Sequence, residues 1–474
     1  MLYFLLPILF SLFILIKKDK QFNIFILILN SFVNLIFNIS LISFLEFNSK
    51  YFNVDPLNKP FLFALSIVFF SVSLYSVYYL RSRDIDIKWH SFYVISLMLF
   101  NVLLMLTLLV NHLGVYWVLL EATTILTAPL IYFNKSKHSL EATWKYIFIC
   151  SIGIAIGFLG IIFLSLTFKD LNSLFFNDFY NYKSPVSLLL LKISFLFILI
   201  GFGTKTGLAP VHFWLPDAHS EAPAPVSALL SAALLNSALI GIIRVLKIMY
   251  IFQMFRFSSF MLVLMGFLSI FVAAVFILRI KNIKRILAYS SIENMGIITL
   301  GFGLGGYGIF SSFIHIISHS LLKSSLFLTS GNLLDFYKTK NYDEIKFLSK
   351  KAKFTSLIFI LSILGIVALP PSLSFISEFY LVKEMVVQRR WVLMFSVLLL
   401  LTIIFFAFIK ILVETNFSDI KDEKVEQEKL FSVIPQMILI FIVFFSGVVL
   451  IPFLNDILTE SVKWLGVKWN RVLK

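Results

Sequence analysis

The residues in this sequence whose types and spacing can do chemistry lie in stretches that are otherwise hydrocarbon. His315, His319 and Lys323 recur every four positions in HIISHSLLKSS, and Glu121 sits near the middle of LGVYWVLLEATTILTAPLIYF. Lys205 closes the apolar run KISFLFILIGFGTKTGLAP just before Pro210, and Glu378 follows the Pro370-Pro371 pair. Side chains four apart stack about 6 Å from one another on one helical face, too far for direct proton transfer but suited to one bridging water. Amines, imidazoles and carboxylates in such a file can take up and release protons, so the chemistry they offer is a relay. A single buried charge is better read as a structural ion pair or a side chain reaching for headgroups. Six together, each expensive to hold in hydrocarbon, favour a functional path. Lys192, Glu141 and Arg244 lie nearer the ends of their apolar runs, where headgroups are within reach, and read as structural. Glu293, in YSSIENMG, fits either role.

Elements that place such groups at mid-bilayer must be membrane helices. Of 474 residues, 59% are hydrophobic and 14% charged, far from the balance of a soluble domain. Apolar runs of about 20 residues, enough to cross roughly 30 Å of hydrocarbon, recur from end to end. About fourteen are countable, beginning near residues 2, 22, 61, 89, 113, 141, 186, 223, 257, 283, 308, 354, 391 and 431. The expected fold is an all-α integral membrane protein with about fourteen transmembrane helices. The first run has no basic region before it and no small-residue cleavage site, so it is expected to remain a span rather than act as a signal peptide.

Proline inside a span frees carbonyls that hydrocarbon cannot satisfy, so broken membrane helices mark backbone that faces protein or water. Pro210 breaks the seventh span after Lys205, and Pro370-Pro371 break the twelfth before Glu378. The two breaks occupy corresponding places in successive five-span blocks, the pattern of an inverted-repeat transporter. The expected organisation is residues 1–88 with three helices, 89–250 and 251–415 with five each, and 416–474 with the last helix and a tail.

A formal net charge of +15 would suit a nucleic-acid binder if it lay on one soluble face, but the basic residues fall in short loops between spans. The loops after spans 1, 3, 5, 9 and 11 carry Lys17, Lys18 and Lys20; Arg81, Arg83 and Lys88; Lys135 and Lys137; Arg279, Lys281, Lys284 and Arg285; and six lysines between Lys338 and Lys353. Under the positive-inside rule these face the cytoplasm and the N-terminus lies outside. The basic tail, with Lys463, Lys468, Arg471 and Lys474, runs mildly against that orientation. One cysteine, Cys150, leaves no disulfide framework and no cysteine-ligated cluster within the chain. Gly301, Gly303 and Gly306 match G-x-G-x-x-G but follow a membrane helix, and the position about 20 residues on is Leu326 rather than an acid, so a tight turn explains them. His315 and His319 have zinc spacing, but Lys323 lies one turn along and no third ligand is near, so no metal or other cofactor is expected.

The segments GTKTGLAPVHFWLPDAHSEAPAPVSALLSAALLNSAL, AYSSIENMGII and HIISHSLLKSSLFLTSGNL resemble the antiporter-like subunits shared by respiratory complex I, multisubunit cation/proton antiporters and group 4 membrane-bound hydrogenases. SEAPAPVSALL, EATWKYIFICSIGIAIG and SLLKSSLF look most like the hydrogenase-4 component F members of that family. The likeness runs from about residue 89 to 380; the first three and last two spans agree mainly in hydropathy. It implies fourteen helices with two inverted repeats, a prokaryotic inner-membrane location, and proton movement coupled to redox chemistry in partner subunits. It also implies an ion pair between Glu121 and Lys205, a central histidine at His319 flanked by His315 and Lys323, and a terminal acid at Glu378. Asn236 stands where relatives often place a second lysine, and the long lateral helix of some complex I relatives is not expected.

A lysine that releases its proton near neutral pH must have its ammonium destabilised by about 4 to 5 kcal/mol, which burial can supply. A carboxylate about 4 Å away at an effective dielectric near 20 restores about 4 kcal/mol, so closing the Glu121–Lys205 pair would hold a proton and opening it would send the proton on. Two other classes of function remain at this point. One is a membrane anchor that docks a peripheral hydrogenase, against which the mid-bilayer charges argue. The other is a cation/proton antiporter or inorganic-carbon uptake subunit without redox partners.

Overall fold

The computed structural model describes residues 2–44, 47–417 and 428–466. Four helices open the chain: α1 (Leu2–Lys17), α2 (Lys20–Ser43), α3 (Asn58–Arg81) and α4 (Ile87–Leu109). Next come α5 (Leu113–Ile131), α6 (Lys137–Thr167), the short α7 (Phe176–Asn181), α8 (Leu188–Thr206), α9 (Trp214–Glu221), α10 (Ala224–Leu229) and α11 (Leu235–Ile251). The second half holds α12 (Phe255–Ile277), α13 (Ile283–Leu304), α14 (Tyr307–Tyr337), α15 (Leu348–Lys351), α16 (Lys353–Ile366), α17 (Leu373–Val387), α18 (Trp391–Asn416), α19 (Ile434–Val448) and α20 (Pro452–Trp464).

Helices begin within four residues of each expected span. Nine among the described residues are long and apolar enough to cross a membrane unaided, or ten if α19 and α20, bent by 78°, are one span. The shortfall from fourteen has physical causes. α1 and α16 have 16 and 14 residues, short of the length a span requires. α13 and α14 are long enough but polar, and every residue of α14 from Tyr307 to Leu333 is buried, so their polar groups meet other helices rather than lipid. Large apolar side chains such as Phe25, Phe148, Phe260 and Phe441 stand outward on the peripheral helices, as an acyl-chain environment demands. The chain is a multi-pass integral membrane protein. Of the basic tail, Lys468, Arg471 and Lys474 lie outside the described residues.

Both expected breaks are present. α8 stops at Thr206 with Gly207 at φ 80°, and the chain passes Pro210 before α9. The break does not leave its backbone groups bare: Trp214 Nε1 donates to Thr204 O at 2.7 Å, and Ser269 Oγ accepts from Ala209 N at 2.9 Å. The second break falls between α16 and α17, with Ala368 at φ 57° ahead of Pro370-Pro371. α6 and α8 pack backbone to backbone because Gly157 meets Gly201, where an added Cβ would lie 2.3 Å from Gly157 N.

The basic loops gather at one end of the bundle through ion pairs. Asp217 on α9 receives Lys145 at 3.0 Å and Arg285 at 2.7 Å, Glu221 receives Lys340 at 2.8 Å, and Asp335 receives Arg83 at 2.9 Å. Lys281, beside Asp343 at 2.7 Å, holds that half-buried carboxyl below the ordinary carboxylate range. Glu141 pairs with Lys145 at 2.7 Å on the surface, and Lys192 lies 5.8 Å over the Phe257 ring. Arg244 departs from expectation. It does not reach headgroups: it is fully buried, bonded to Asp55 at 3.1 Å and Asn58 at 2.9 Å, with the Phe176 ring 5.0 Å away.

Candidate functional site

Two groups of buried polar residues meet the expected positions. The first lies between α5, α6 and α8. Lys205 sits in the last turn of α8 and is fully buried, because the Gly157–Gly201 contact draws α8 against α6 while α5 closes the other side. Its ammonium donates to Leu120 O at 2.5 Å and to the Thr124 hydroxyl. Glu121, the residue after Leu120, does not complete the ion pair that the resemblance implies. Its Oε1 accepts from Ser151 Oγ of α6 at 2.5 Å, its Oε2 has no hydrogen-bond partner, and no salt bridge joins it to Lys205. The two charges still act on one another electrostatically. The cause of the separation is a choice of partner: each ion is held by neutral groups on the neighbouring helix, Lys205 by α5 and Glu121 by α6. Glu121 is half-buried and lines a cavity of about 350 Å³ with Thr124, Thr143, Trp144 and Ser151.

The second group centres on α14. His315, His319 and Lys323 are fully buried along one face, as their spacing predicts. Asn294 Nδ2 donates to Ser290 O at 2.6 Å, which leaves Asn294 Oδ1 to accept from His315 Nε2 at 2.9 Å. His315 Nδ1 lies 2.7 Å from Ser377 Oγ, and that hydroxyl is also 2.7 Å from Ser374 O. The Ser377 proton can therefore point to the imidazole when the ring is neutral and to the carbonyl when the ring is charged, so either state of His315 is satisfied. With both nitrogens engaged, the ring is oriented for proton exchange rather than for holding a metal.

His319 reaches the opposite wall. Its Nε2 lies 3.4 Å from Ser231 O, and its Nδ1 has no partner. Ser231 belongs to one turn of π-helix, Leu230–Leu234, that joins α10 to α11. A π turn shifts the hydrogen-bond ladder and leaves carbonyls to other partners. Here Ser231 O meets His319, while Ala232 O accepts from Asn236 Nδ2 at 2.7 Å and Ser320 Oγ at 2.9 Å. Asn236 also donates to Ser320 Oγ at 2.8 Å, so in place of a second lysine it ties α11 to α14.

Lys323 donates to Leu287 O at 3.0 Å, one helix over on α13. Glu293 of α13 is buried, accepts from Ser290 Oγ at 3.2 Å, and its charge acts on both Lys323 and Glu378. Glu378 is half-buried on α17, next to the Ser377 that engages His315.

Two functional candidates were not singled out in the sequence. His219 on α9 is fully buried, stacks on Phe327 with centroids 4.7 Å apart, has no partner at either nitrogen, and interacts electrostatically with Lys284, Lys323 and His319. The signal was its place just past the break, in the same polar segment as Lys205. Glu384 is the other: its carboxylate accepts from Tyr307 N at 2.7 Å and from Gln388 Nε2 at 2.7 Å, capping α14. Gly306, at φ 51°, is the residue over which that carboxylate lies, and an added Cβ there would be 2.5 Å from Glu384 Oε2. This explains the last glycine of the G-x-G-x-x-G match as a helix-start position without any nucleotide.

With this geometry in view, the comparisons with known proteins are specific. A family described as NADH:quinone oxidoreductase/Mrp antiporter, TM matches residues 110–404, which hold every candidate above. The hydrogenase-4 component F homolog of Methylacidiphilum infernorum is 33% identical over 350 residues, covering 71% of this chain and 72% of that one. Hydrogenase-4 component B of Escherichia coli is 27% identical over 349 residues, and the match covers 71% of this chain and 51% of that protein's length. Among solved structures, a chain of the membrane-bound sulfane sulfur reductase, an archaeal respiratory membrane complex, superposes with a TM-score of 0.88 at 20% identity, covering 98% of this chain and 97% of that one. A chain of respiratory complex I from Thermus thermophilus gives 0.85 at 18% identity, covering 98% of each, so both share the fold. The chain is an antiporter-like membrane subunit and belongs to the NADH:quinone oxidoreductase/Mrp antiporter transmembrane family.

Proposed function

We propose that this chain moves protons across a prokaryotic inner membrane as one subunit of a redox-driven assembly, a nickel-iron hydrogenase or complex I-like enzyme whose other subunits carry the electrons. The observation that carries the reading is Lys205: a fully buried ammonium held by a carbonyl and a hydroxyl, with its expected carboxylate partner close by but hydrogen-bonded elsewhere. A structural ion pair would be closed. An open one is a proton-holding group whose neighbour can come and go.

In this reading a movement in partner subunits opens and closes the Glu121–Lys205 contact. The proton released from Lys205 passes through bridging waters to His319 and Lys323, then by His315 to Glu378, with Glu293 balancing charge between Lys323 and Glu378. His219 offers a second entry beside Lys284 and Lys323. Each transfer moves one proton between a base and a water, and the Ser377 hydroxyl reorients as His315 changes charge. The fourteen-helix count, the two inverted repeats and the boundaries 1–88, 89–250, 251–415 and 416–474 belong to this proposal. So does an outside N-terminus, supported by basic loops that collect at one end of the bundle.

The test is Lys205→Ala in the intact complex reconstituted into proteoliposomes. Assembly should be normal and redox-driven acidification lost; normal acidification would remove Lys205 from the mechanism. Wild-type cation/proton exchange in the absence of any electron donor would instead favour the antiporter reading without redox partners.

A further inference from the structure

Outside the charged relay, and outside the stretch that carries the family likeness most strongly, α2 and α4 face one another with a polar seam. On α2, Asn23, Asn30, Asn34 and Asn38 share one helical face, because steps of seven and four residues return nearly to the same angle, and all four are buried. On α4, His90, Asn101 and Met105 share a face in the same way and are also buried. Two contacts hold the helices side by side. Near one end, Asn23 Nδ2 lies 3.2 Å from His90 Nδ1 and donates to Ser91 Oγ at 2.9 Å. Near the other, Asn34 Nδ2 lies 3.7 Å from Met105 Sδ, and Asn38 Nδ2 donates to Asn34 Oδ1 at 3.0 Å.

Between these anchors, whose offsets are 67 and 71 residues, Asn30 lies opposite the turn of α4 that runs from Leu97 to Asn101. Asn30 Nδ2 is a buried donor without a hydrogen-bond partner, and Asn101 Oδ1 is a buried acceptor without one. Asn23 Oδ1 below them and Asn38 Oδ1 above are further acceptors without partners. A buried amide that makes no hydrogen bond is costly, and such groups in proteins are regularly completed by ordered water.

We propose that the α2–α4 seam binds a short file of ordered water, with one molecule accepting from Asn30 Nδ2 and donating to Asn101 Oδ1 between the Asn23–His90 and Asn34–Met105 anchors. The chemistry selects water over a cation. A sodium site needs acceptors alone, preferably a carboxylate, whereas this face has no acidic side chain and presents an amide donor at its centre. A groove of about 330 Å³ between α1 and α4, lined in part by Leu15, Lys18, Lys88 and Phe92, reaches Ser91, the residue that accepts from Asn23.

Synchrotron radiolysis of the intact complex tests this, because hydroxyl radicals made from bound water oxidise the side chains beside it. Met105 is fully buried against the seam, and Met249, fully buried on α11, is the internal reference. Met105 should be oxidised well above Met249 in the wild type and fall to the Met249 level in Asn30→Leu/Asn101→Leu. The wild-type comparison needs no variant, so a variant that fails to assemble leaves the test intact. Equal labelling of the two methionines in the wild type would overturn the proposal, as would undiminished Met105 labelling in an assembled double variant. Replacing sodium by choline in the buffer should leave Met105 labelling unchanged; loss of labelling would make the site a cation site instead.

Discussion

Ser151→Ala tests the open pair without touching either ion. Ser151 Oγ is the donor that holds Glu121 Oε1, at 2.5 Å, and Glu121 Oε2 has no partner at all. Removing the hydroxyl takes from the open arrangement a hydrogen bond to a charged group, worth about 1.5–3 kcal/mol. The competing arrangement, with Glu121 against Lys205 at about 4 Å and an effective dielectric near 20, is favoured by about 4 kcal/mol of attraction before desolvation and rotamer costs. The equilibrium should therefore shift toward closure by roughly 10- to 150-fold, since each 1.4 kcal/mol is a factor of ten. If a closed pair traps the proton on Lys205, redox-driven acidification in proteoliposomes should fall by about tenfold or more while the complex assembles normally. Ser151→Thr, which keeps a hydroxyl, should retain most of the rate. The decisive comparison is the double variant. With Glu121→Gln there is no carboxylate to close, so Ser151→Ala should add nothing further. Wild-type pumping by Ser151→Ala, or an equal effect of Ser151→Ala in the Glu121→Gln background, would refute the reasoning.

Glu121→Gln alone should cause a strong but incomplete loss of pumping, because an amide can bond the lysine without holding its charge; an unaltered rate and pH profile would exclude the switch. His319→Leu should preserve assembly and thermal stability, since leucine suits the buried face, yet cut acidification severely; normal pumping would mean that the imbalance at His319 Nδ1 is only a packing feature. Arg244→Met removes the buried cation that pairs with the partly exposed Asp55 and should lower stability by at most about 3–5 kcal/mol in a thermal unfolding assay, with no direct effect on the relay. Gly306→Ala places a Cβ 2.5 Å from Glu384 Oε2 at a residue with φ 51°, and should cost about 1–3 kcal/mol in the same assay, whereas an unchanged midpoint would show that the cap gives way freely.

Much of the architecture was legible because the bilayer imposes a strong rule: runs of apolar residues have to be helices of a set length. The breaks were legible because proline has one physical meaning inside such a run. The same rule misled at Arg244. Its position near a helix end suggested a headgroup contact, but its partners Asp55 and Asn58 lie far away in the chain, and only tertiary packing shows that they meet. The π turn at Leu230–Leu234 was invisible, since LSAAL reads as ordinary helix and the shift is forced by what α14 presents to it. The Glu121–Lys205 ion pair that the resemblance implied is not formed, because each group is held by Ser151 or Thr124, small hydroxyl residues that no charge pattern marks.

These differences separate the two halves of the site mechanically. α14 is buried along nearly its whole length, capped by Glu384 at one end and joined through Asp335 to Arg83 and Tyr78 near the other. Its histidines are threaded into α10–α11, α13 and α17 by Ser231, Asn294 and Ser377, so shifting the helix would break several buried hydrogen bonds at once. In the proposed relay a proton would cross that half through hydroxyl rotation and water exchange, which leave the helix in place. Glu121 stands differently: half-buried, facing a cavity, held by one serine, with one oxygen unbonded. A small displacement of α5 or α6 changes its distance to Lys205 at the cost of one hydrogen bond. A movement delivered by a neighbouring subunit would therefore be read at Glu121 and Lys205 first, and the α14 network would carry the consequence rather than the motion.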